Sequence, residues 1–175
     1  IVMHEDGNMP FEALGMPIDE WLALRFENAD LPDSQIDAIW WDVGMAEDSY
    51  AVVQSDILPP VDVPGLNRWR DQGIDWIAEF VRATRTRGLE CFWNHRVCPV
   101  DFPQPWGEGR VPHTHPSRQN WLKTRHPDWV VPCWWPQGLW NLANADCRAH
   151  KVAVLRELLV RYELDGFQLD FARHT

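Results

Sequence analysis

The segment from Asp165 to His174 carries a carboxylate, a guanidinium and an imidazole within a few residues of one another. In a β-strand, alternate side chains point to opposite faces, so Asp170 and Gln168 would share a polar face. The apolar residues would share the other face: Phe167, Leu169 and Phe171. A carboxylate presented in this way can act as a nucleophile or stabilise a positive charge that develops during a reaction. We therefore predict that Asp170 is catalytic and that Arg173 and His174 position it or bind substrate.

Polar residues also follow three earlier apolar segments of the chain: His4 and Asp6, then Asp42, then Asn94 and His95. If these segments are parallel strands, their carboxyl ends meet at one rim, where barrel enzymes place their sites. We expect all five residues to bind substrate there, with Asp42 holding hydroxyls or tuning the charge of Asp170. The alternative for each is local, because such residues also cap helices or bond loop amides.

Helical periodicity separates the four predicted strands. Helices are predicted at 18–26, from about 74 to a stop at Gly88, and from about 147 to 162. The apolar stripe of the last one is predicted to comprise Val152, Leu155, Leu158, Leu159 and Tyr162. The strands are predicted at 1–4, 38–43, 89–95 and 165–174. Alternating strands and helices predict an α/β fold with parallel strands joined by right-handed crossovers.

Two of these strand segments resemble motifs of the α-amylase superfamily. The run from Gly166 to Asp170 is similar to its Gly-Phe-Arg-Leu-Asp motif, which places Asp170 on the nucleophile. The run from Glu90 to His95 is similar to its Asp-Val-Val-x-Asn-His motif, with Asn94 and His95 matching. Gln168 stands where the superfamily has arginine, which removes a cation that would keep the aspartate ionised.

From about residue 37 onward, the chain more closely resembles the family 10 glycosylhydrolase-like barrel proteins. The matching segments occur in the family's order: His126-Pro127-Asp128-Trp129, Asn141-Leu142-Ala143, and Tyr162-Glu163-Leu164-Asp165-Gly166 before Asp170. The resemblance implies a (β/α)8 TIM barrel that hydrolyses glycosidic bonds.

Chain length limits how much of a barrel is present. A complete (β/α)8 barrel takes about 250 residues, whereas this chain has 175. We expect residues 1–175 to form the N-terminal half of a single barrel domain, with about four strands and three helices. The open sheet edge would be covered by the remainder of the barrel in the same polypeptide or by a homo-oligomer partner.

Tryptophan is abundant, with 12 in the chain, and six of them lie in a proline-rich stretch at 96–146. We expect this stretch to be a long loop over the carboxyl-end face, because long connections in compact domains are often functional. Rigid indoles suit the C–H faces of sugar rings. Trp134, Trp135 and Trp140 are the predicted binding platforms, whereas Trp121 and Trp129 are expected to hold the loop down, beside a short helix.

Composition narrows the range of partners. A formal net charge of −10 argues against nucleic acid binding, and no apolar run approaches the ~20 residues of a membrane span. His113 and His115 lie between prolines and give a weak indication of a metal site. We therefore predict neither a metal nor a cofactor.

These patterns lead to three hypotheses. The first is a glycoside hydrolase that acts on an oligo- or polysaccharide by carboxylate catalysis. The second is a catalytically silent barrel that binds carbohydrate through the tryptophan-rich loop. The third, a metal-dependent hydrolase, is the least supported by the sequence.

Overall fold

Four parallel strands form one sheet in the computed structural model, which describes residues 1–6, 16–42, 49–62, 64–97, 120–133 and 138–171. The strands in chain order are β1 (Val2–Asp6), β2 (Ala38–Asp42), β3 (Glu90–Arg96), β4 (Val130–Val131), β5 (Leu139–Trp140) and β6 (Gly166–Asp170). The helices are α1 (Ile18–Phe26), α2 (Pro64–Asp71), α3 (Trp76–Thr86), α4 (Trp121–Arg125) and α5 (Ala145–Arg161), with a 3-10 turn at Pro127–Trp129.

The main sheet has the order β1-β2-β3-β6, and β4 pairs with β5 in a separate antiparallel hairpin. The predicted α/β fold with four parallel strands is confirmed. β1, β2 and β3 lie within two residues of the predicted bounds, whereas β6 ends at Asp170, before the predicted limit at 174. Closure into a (β/α)8 barrel stays a prediction.

One helix, α2, and the β4-β5 hairpin were not predicted as regular elements. α2 begins with Pro64 and Gly65, which weaken the helical signal, although it buries Leu66 and Trp69. The stretch at 96–146 was predicted as a long loop with a short helix beside Trp121 and Trp129, and α4 lies there; the structure also places the end of β3, the hairpin and the start of α5 within this stretch. Local capping explains the added helical starts, because the side chains of Asn120 and Asn144 accept hydrogen bonds from the first turns of α4 and α5.

The core lies between one face of the main sheet and the helices, and we call this face of the sheet the helix face. Ile39 and Trp41 of β2 and Cys91 and Trp93 of β3 are at most 2% exposed there. Trp41 stacks on Phe80 of α3, with ring centroids 4.4 Å apart. Aromatic packing of this density fixes the helices against the sheet.

The predicted apolar stripe of α5 is partly wrong. Val152 and Leu159 are 61% and 50% exposed, whereas the buried side of the helix comprises Cys147, Lys151, Val154 and Leu158. In β6, Phe167 packs against the core as predicted, but Leu169 and Phe171 are about half exposed. Within the described ranges, no helix has both the length and the hydropathy of a membrane span.

Candidate functional site

The register of the main sheet brings six of the polar side chains onto the face opposite the helix face, which we call the polar face. Asn94 pairs with Asp42 on one side and with Gln168 on the other, and Arg96 pairs with Asp170. His4 of β1 pairs with Trp40 and therefore shares this face. Four of the six lie in the carboxyl-terminal half of their strands, namely Asp42, Asn94, Arg96 and Asp170, and His4 and Gln168 occupy the central positions of theirs.

A buried ion pair crosses the polar face between β2 and β3. The guanidinium of Arg96 donates from Nε and Nη2 to Oδ2 of Asp42, with the Nε bond at 3.0 Å. Both side chains are about 5% exposed or less. Because a buried carboxylate is stable when it is paired and hydrogen-bonded, this contact explains how Asp42 can be charged so far from solvent.

His4 connects this ion pair to Asn94. Its Nε2 lies 3.7 Å from Oδ2 of Asp42 and 3.4 Å from Nδ2 of Asn94. The Asn94 amide donates when Nε2 is unprotonated, and the contact to Asp42 is favoured when Nε2 carries a proton. His4 therefore links the buried ion pair to Asn94 across the polar face.

Three buried polar atoms on this face have no hydrogen-bond partner among the described residues: Oδ1 of Asn94, Oε1 of Gln168 and Nε1 of Trp40. Asn94 is only 1% exposed. Buried polar atoms are rarely left unbonded in folded proteins. Two amide oxygens on adjacent strands, together with nearby carboxylates, make a surface that suits a ligand rich in hydrogen-bond donors, such as hydroxyl groups.

An aromatic floor lies beneath the polar groups. The rings of Trp40 and Phe92 are 5.8 Å apart at a tilt of 48°. Phe92 is the register partner of Gly166, and its ring covers the place where a Cβ of Gly166 would lie. The floor therefore depends on a residue without a side chain at the start of β6.

His95 does not join this cluster. It lies on the helix face with Cys91 and Trp93, is 2% exposed, and lines a small cavity with Tyr50 and Glu157. The expectation that His95 contacts the same ligand as Asp170 is therefore corrected, because adjacent residues of a strand point to opposite faces. Burial raises the pKa of the Cys91 thiol to about 12, so this thiol is inert at neutral pH.

Trp140 is likewise not an exposed platform. It is 3% exposed and packs in a satellite core with Leu122, Trp129 and Cys147. The ammonium groups of Lys123 and Lys151 lie 4.9 Å and 5.0 Å from the centre of its ring. The structural role expected for Trp129 is confirmed, and Trp140 shares it because both pack beside the first turn of α5.

The remaining predicted site residues are not placed by the structure. Trp134, Trp135, Arg173 and His174 lie outside the described residues, as do His113 and His115, and of Asp6 only the backbone is described. Asp170 is half-buried on the polar face. Within the described part of the chain, no group of three or more histidine, cysteine, aspartate or glutamate side chains is arranged to hold a metal ion.

Arg96 is the residue of the polar face that the sequence analysis missed. It falls one position beyond the motif segment Glu90–His95, and the predicted strand ended at His95. The alternation of side chains along a strand could have identified it. If the predicted strand is extended by one residue to Arg96, Asn94 and Arg96 lie on the same face.

Together the fold and the site define an α/β protein whose parallel sheet carries a polar cluster toward its carboxyl edge. No family model matches the sequence, and no curated protein matches it. Among solved structures, the fold is similar to that of a hypothetical protein from Ruminiclostridium thermocellum ATCC 27405, with a TM-score of 0.57 and 13% identity. That match covers 100% of this chain and 77% of the other, and it shows a shared fold.

Two enzymes of known type are also similar, at lower scores. A noncanonic maltogenic alpha-amylase from Thermotoga neapolitana has a TM-score of 0.49 and 12% identity, over 100% of this chain and 40% of the other. A cycloalternan-degrading enzyme from Trueperella pyogenes has a TM-score of 0.48 and 16% identity, over 99% of this chain and 25% of the other. The chain thus spans less than half the length of either enzyme.

Proposed function

We propose that the chain carries the nucleophile side of a glycoside hydrolase site and that its substrate is an oligo- or polysaccharide. One observation supports this most: the register of β2, β3 and β6 collects Asp42, Asn94, Arg96, Gln168 and Asp170 on one face. In this proposal Asp170 is the nucleophile or the carboxylate that stabilises the transition state.

The polar face suits that chemistry in two respects. Glycosidic bond cleavage passes through a transition state that resembles an oxocarbenium ion, whose positive charge a carboxylate stabilises. The amide oxygens of Asn94 and Gln168 accept hydrogen bonds, and sugar hydroxyls donate them. Asp42 and His4 complete the substrate contacts in this proposal.

A second carboxyl group is needed to protonate the leaving group. We propose that a (β/α)8 barrel supplies it from a further strand, either in the same polypeptide or in a homo-oligomer partner. Hydrolysis of natural glycans depends on that group, so a test of Asp170 should not require it.

Glycosyl fluorides allow such a test, because fluoride leaves without protonation. We would incubate the chain with a panel of 2-deoxy-2-fluoroglycosyl fluorides of both anomers and measure fluoride release. In the expected reaction an Asp170 carboxylate oxygen bonds to C1 as the C–F bond breaks, and fluoride departs with the electron pair. Mass spectrometry of the intact chain and its peptides should locate the resulting ester on Asp170.

Asp170→Asn should lose the ester and slow fluoride release by roughly a thousandfold or more. Asp165→Asn is the matched control, because Asp165 precedes the opposite end of β6 and bonds Arg85 and the amide of Cys91. Equal fluoride release by wild type and Asp170→Asn would refute the assignment. A chain that binds oligosaccharides but releases no fluoride would be a carbohydrate-binding protein instead.

A further inference from the structure

Arg96 is the only lysine or arginine among the residues that the structure assigns to the four strands of the main sheet. It occupies the last position of β3, with β2 on one side and β6 on the other. Its surface is 4% exposed. A buried guanidinium requires compensating carboxylates. The carboxylates on β2 and β6 therefore indicate which groups the charge of Arg96 acts on.

On the β2 side, Arg96 holds the carboxylate of Asp42. Two donors of one planar group, Nε and Nη2, converge on a single oxygen, Oδ2. A planar fork of this kind fixes the direction of the carboxylate as well as its charge. Asp42 is therefore held in place rather than merely neutralised.

On the β6 side, the register partner of Arg96 is Asp170. The amide of Val97 donates to the carbonyl oxygen of Asp170 at 2.9 Å, which keeps the strands paired at this position. Adjacent strands are about 4.8 Å apart, and both side chains project from the polar face. Arg96 is therefore a neighbour of Asp170 across one strand spacing, while its guanidinium is directed at Asp42.

Arg96 thus lies between two carboxylates on alternate strands. A fixed cation between two carboxylates attracts both and offsets their mutual repulsion. Gln168, two residues before Asp170 on the same face, brings no charge. We propose that Arg96 is the positioning residue of the site, which holds Asp42 in place and offsets the repulsion between Asp42 and Asp170.

This inference rests on the proposed function for its catalytic meaning, but its first test requires no substrate. Arg96→Gln and Asp170→Asn would be made singly and together in the full chain, and urea unfolding would be measured at neutral pH. Arg96→Gln should raise the unfolding equilibrium constant in both backgrounds. The factor should be roughly five times larger in wild type than in the Asp170→Asn background. The same cycle with Asp165→Asn should be additive, because Asp165 lies at the far end of β6.

If the effects of Arg96→Gln and Asp170→Asn on the free energy of unfolding simply add, the inference is overturned. If Arg96→Gln fails to fold, the cycle is repeated in an Asp42→Asn background, where removal of Arg96 leaves no buried carboxylate at position 42. There the same fivefold coupling between Arg96 and Asp170 is expected, and additivity again overturns the inference.

The rate of fluoride release from the same 2-deoxy-2-fluoroglycosyl fluorides then separates a positioning role from a purely structural one. Arg96→Gln should lower the limiting first-order rate constant of release with little change in the substrate concentration that gives half of that rate, and Arg96→Lys, which retains the charge, should recover most of the loss. Coupling to Asp170 in a wild-type chain that releases no fluoride would support the inference about Arg96 and overturn the proposed function. Fluoride release with an additive cycle would overturn only the inference.

Discussion

Gly166 lies where the aromatic floor leaves no room for a side chain. A Cβ at this position would be 2.9 Å from Cε1 and 3.1 Å from Cδ1 of Phe92. We expect Gly166→Ala to lower the free energy of unfolding by about 1 to 3 kcal/mol, because the Phe92 ring must move from its contact with Trp40. Urea unfolding followed by circular dichroism measures the change.

The control for this prediction removes the ring. In a Phe92→Leu background the smaller side chain leaves space at position 166, so Gly166→Ala should cost less than half as much. The same cost in both backgrounds would show that the alanine acts on the backbone and not through Phe92.

For single residues, strand parity was enough to place Gln168 and Asp170 on one face from the sequence, but it did not place Asn94 on that face. The same parity placed His95 with Cys91 and Trp93, and that side proved to face the helices. The pairing of Arg96 with Asp42 was not predictable. It depends on the register between β2 and β3, which is fixed by the packing of the whole sheet and not by either strand alone.

Among the elements, α5 shows why a correct helix can receive the wrong buried face. Its apolar residues cover more than one side, so helical periodicity allowed two stripes. The structure selects the side that includes Lys151, whose ammonium donates to the carbonyl oxygen of Val97 at 3.0 Å. A sequence pattern counts lysine as polar, although its long apolar stem packs well inside a protein.

Two neighbouring leucines of α5 test this assignment. Leu158 is 4% exposed and Leu159 is 50% exposed. We expect Leu158→Ala to lower the free energy of unfolding by about 2 to 4 kcal/mol, because it leaves a cavity in the main core. Leu159→Ala should cost less than about 1 kcal/mol. If both variants lose the same free energy of unfolding, Leu159 is as buried as Leu158, as the helical periodicity predicted.

For the whole molecule, the sequence predicted the class of fold because strands and helices alternate along the chain. The end of α3 was also predicted, since Gly88 follows it with a φ of +71°, which glycine adopts without strain. The satellite core was not predicted beyond the roles of Trp121 and Trp129. Its contacts join three consecutive elements, α4, the β4-β5 hairpin and α5, through Trp140 and two buried lysines, which strand and helix periodicity does not reveal.

Both edges of the main sheet carry exposed apolar side chains. Among the described residues, β1 and β6 each pair on one side only. Ile1 and Val2 are 66% and 50% exposed near one edge, and Leu169 and Phe171 are 50% and 53% exposed near the other. Open strand edges with apolar neighbours promote pairing with another chain. The chain by itself is therefore expected to self-associate.

Charged substitutions at the β6 edge test that expectation. We expect the double variant Leu169→Lys with Phe171→Lys to shift the chain toward its monomer mass in sedimentation equilibrium, because lysine on an edge opposes strand pairing. Ile57→Lys is the matched control, since Ile57 is also exposed, at 40%, but lies outside the strands of the sheet. Wild-type protein that stays monomeric as its concentration is raised would contradict the prediction. An equal shift with Ile57→Lys would show that added charge, rather than the β6 edge, controls the association.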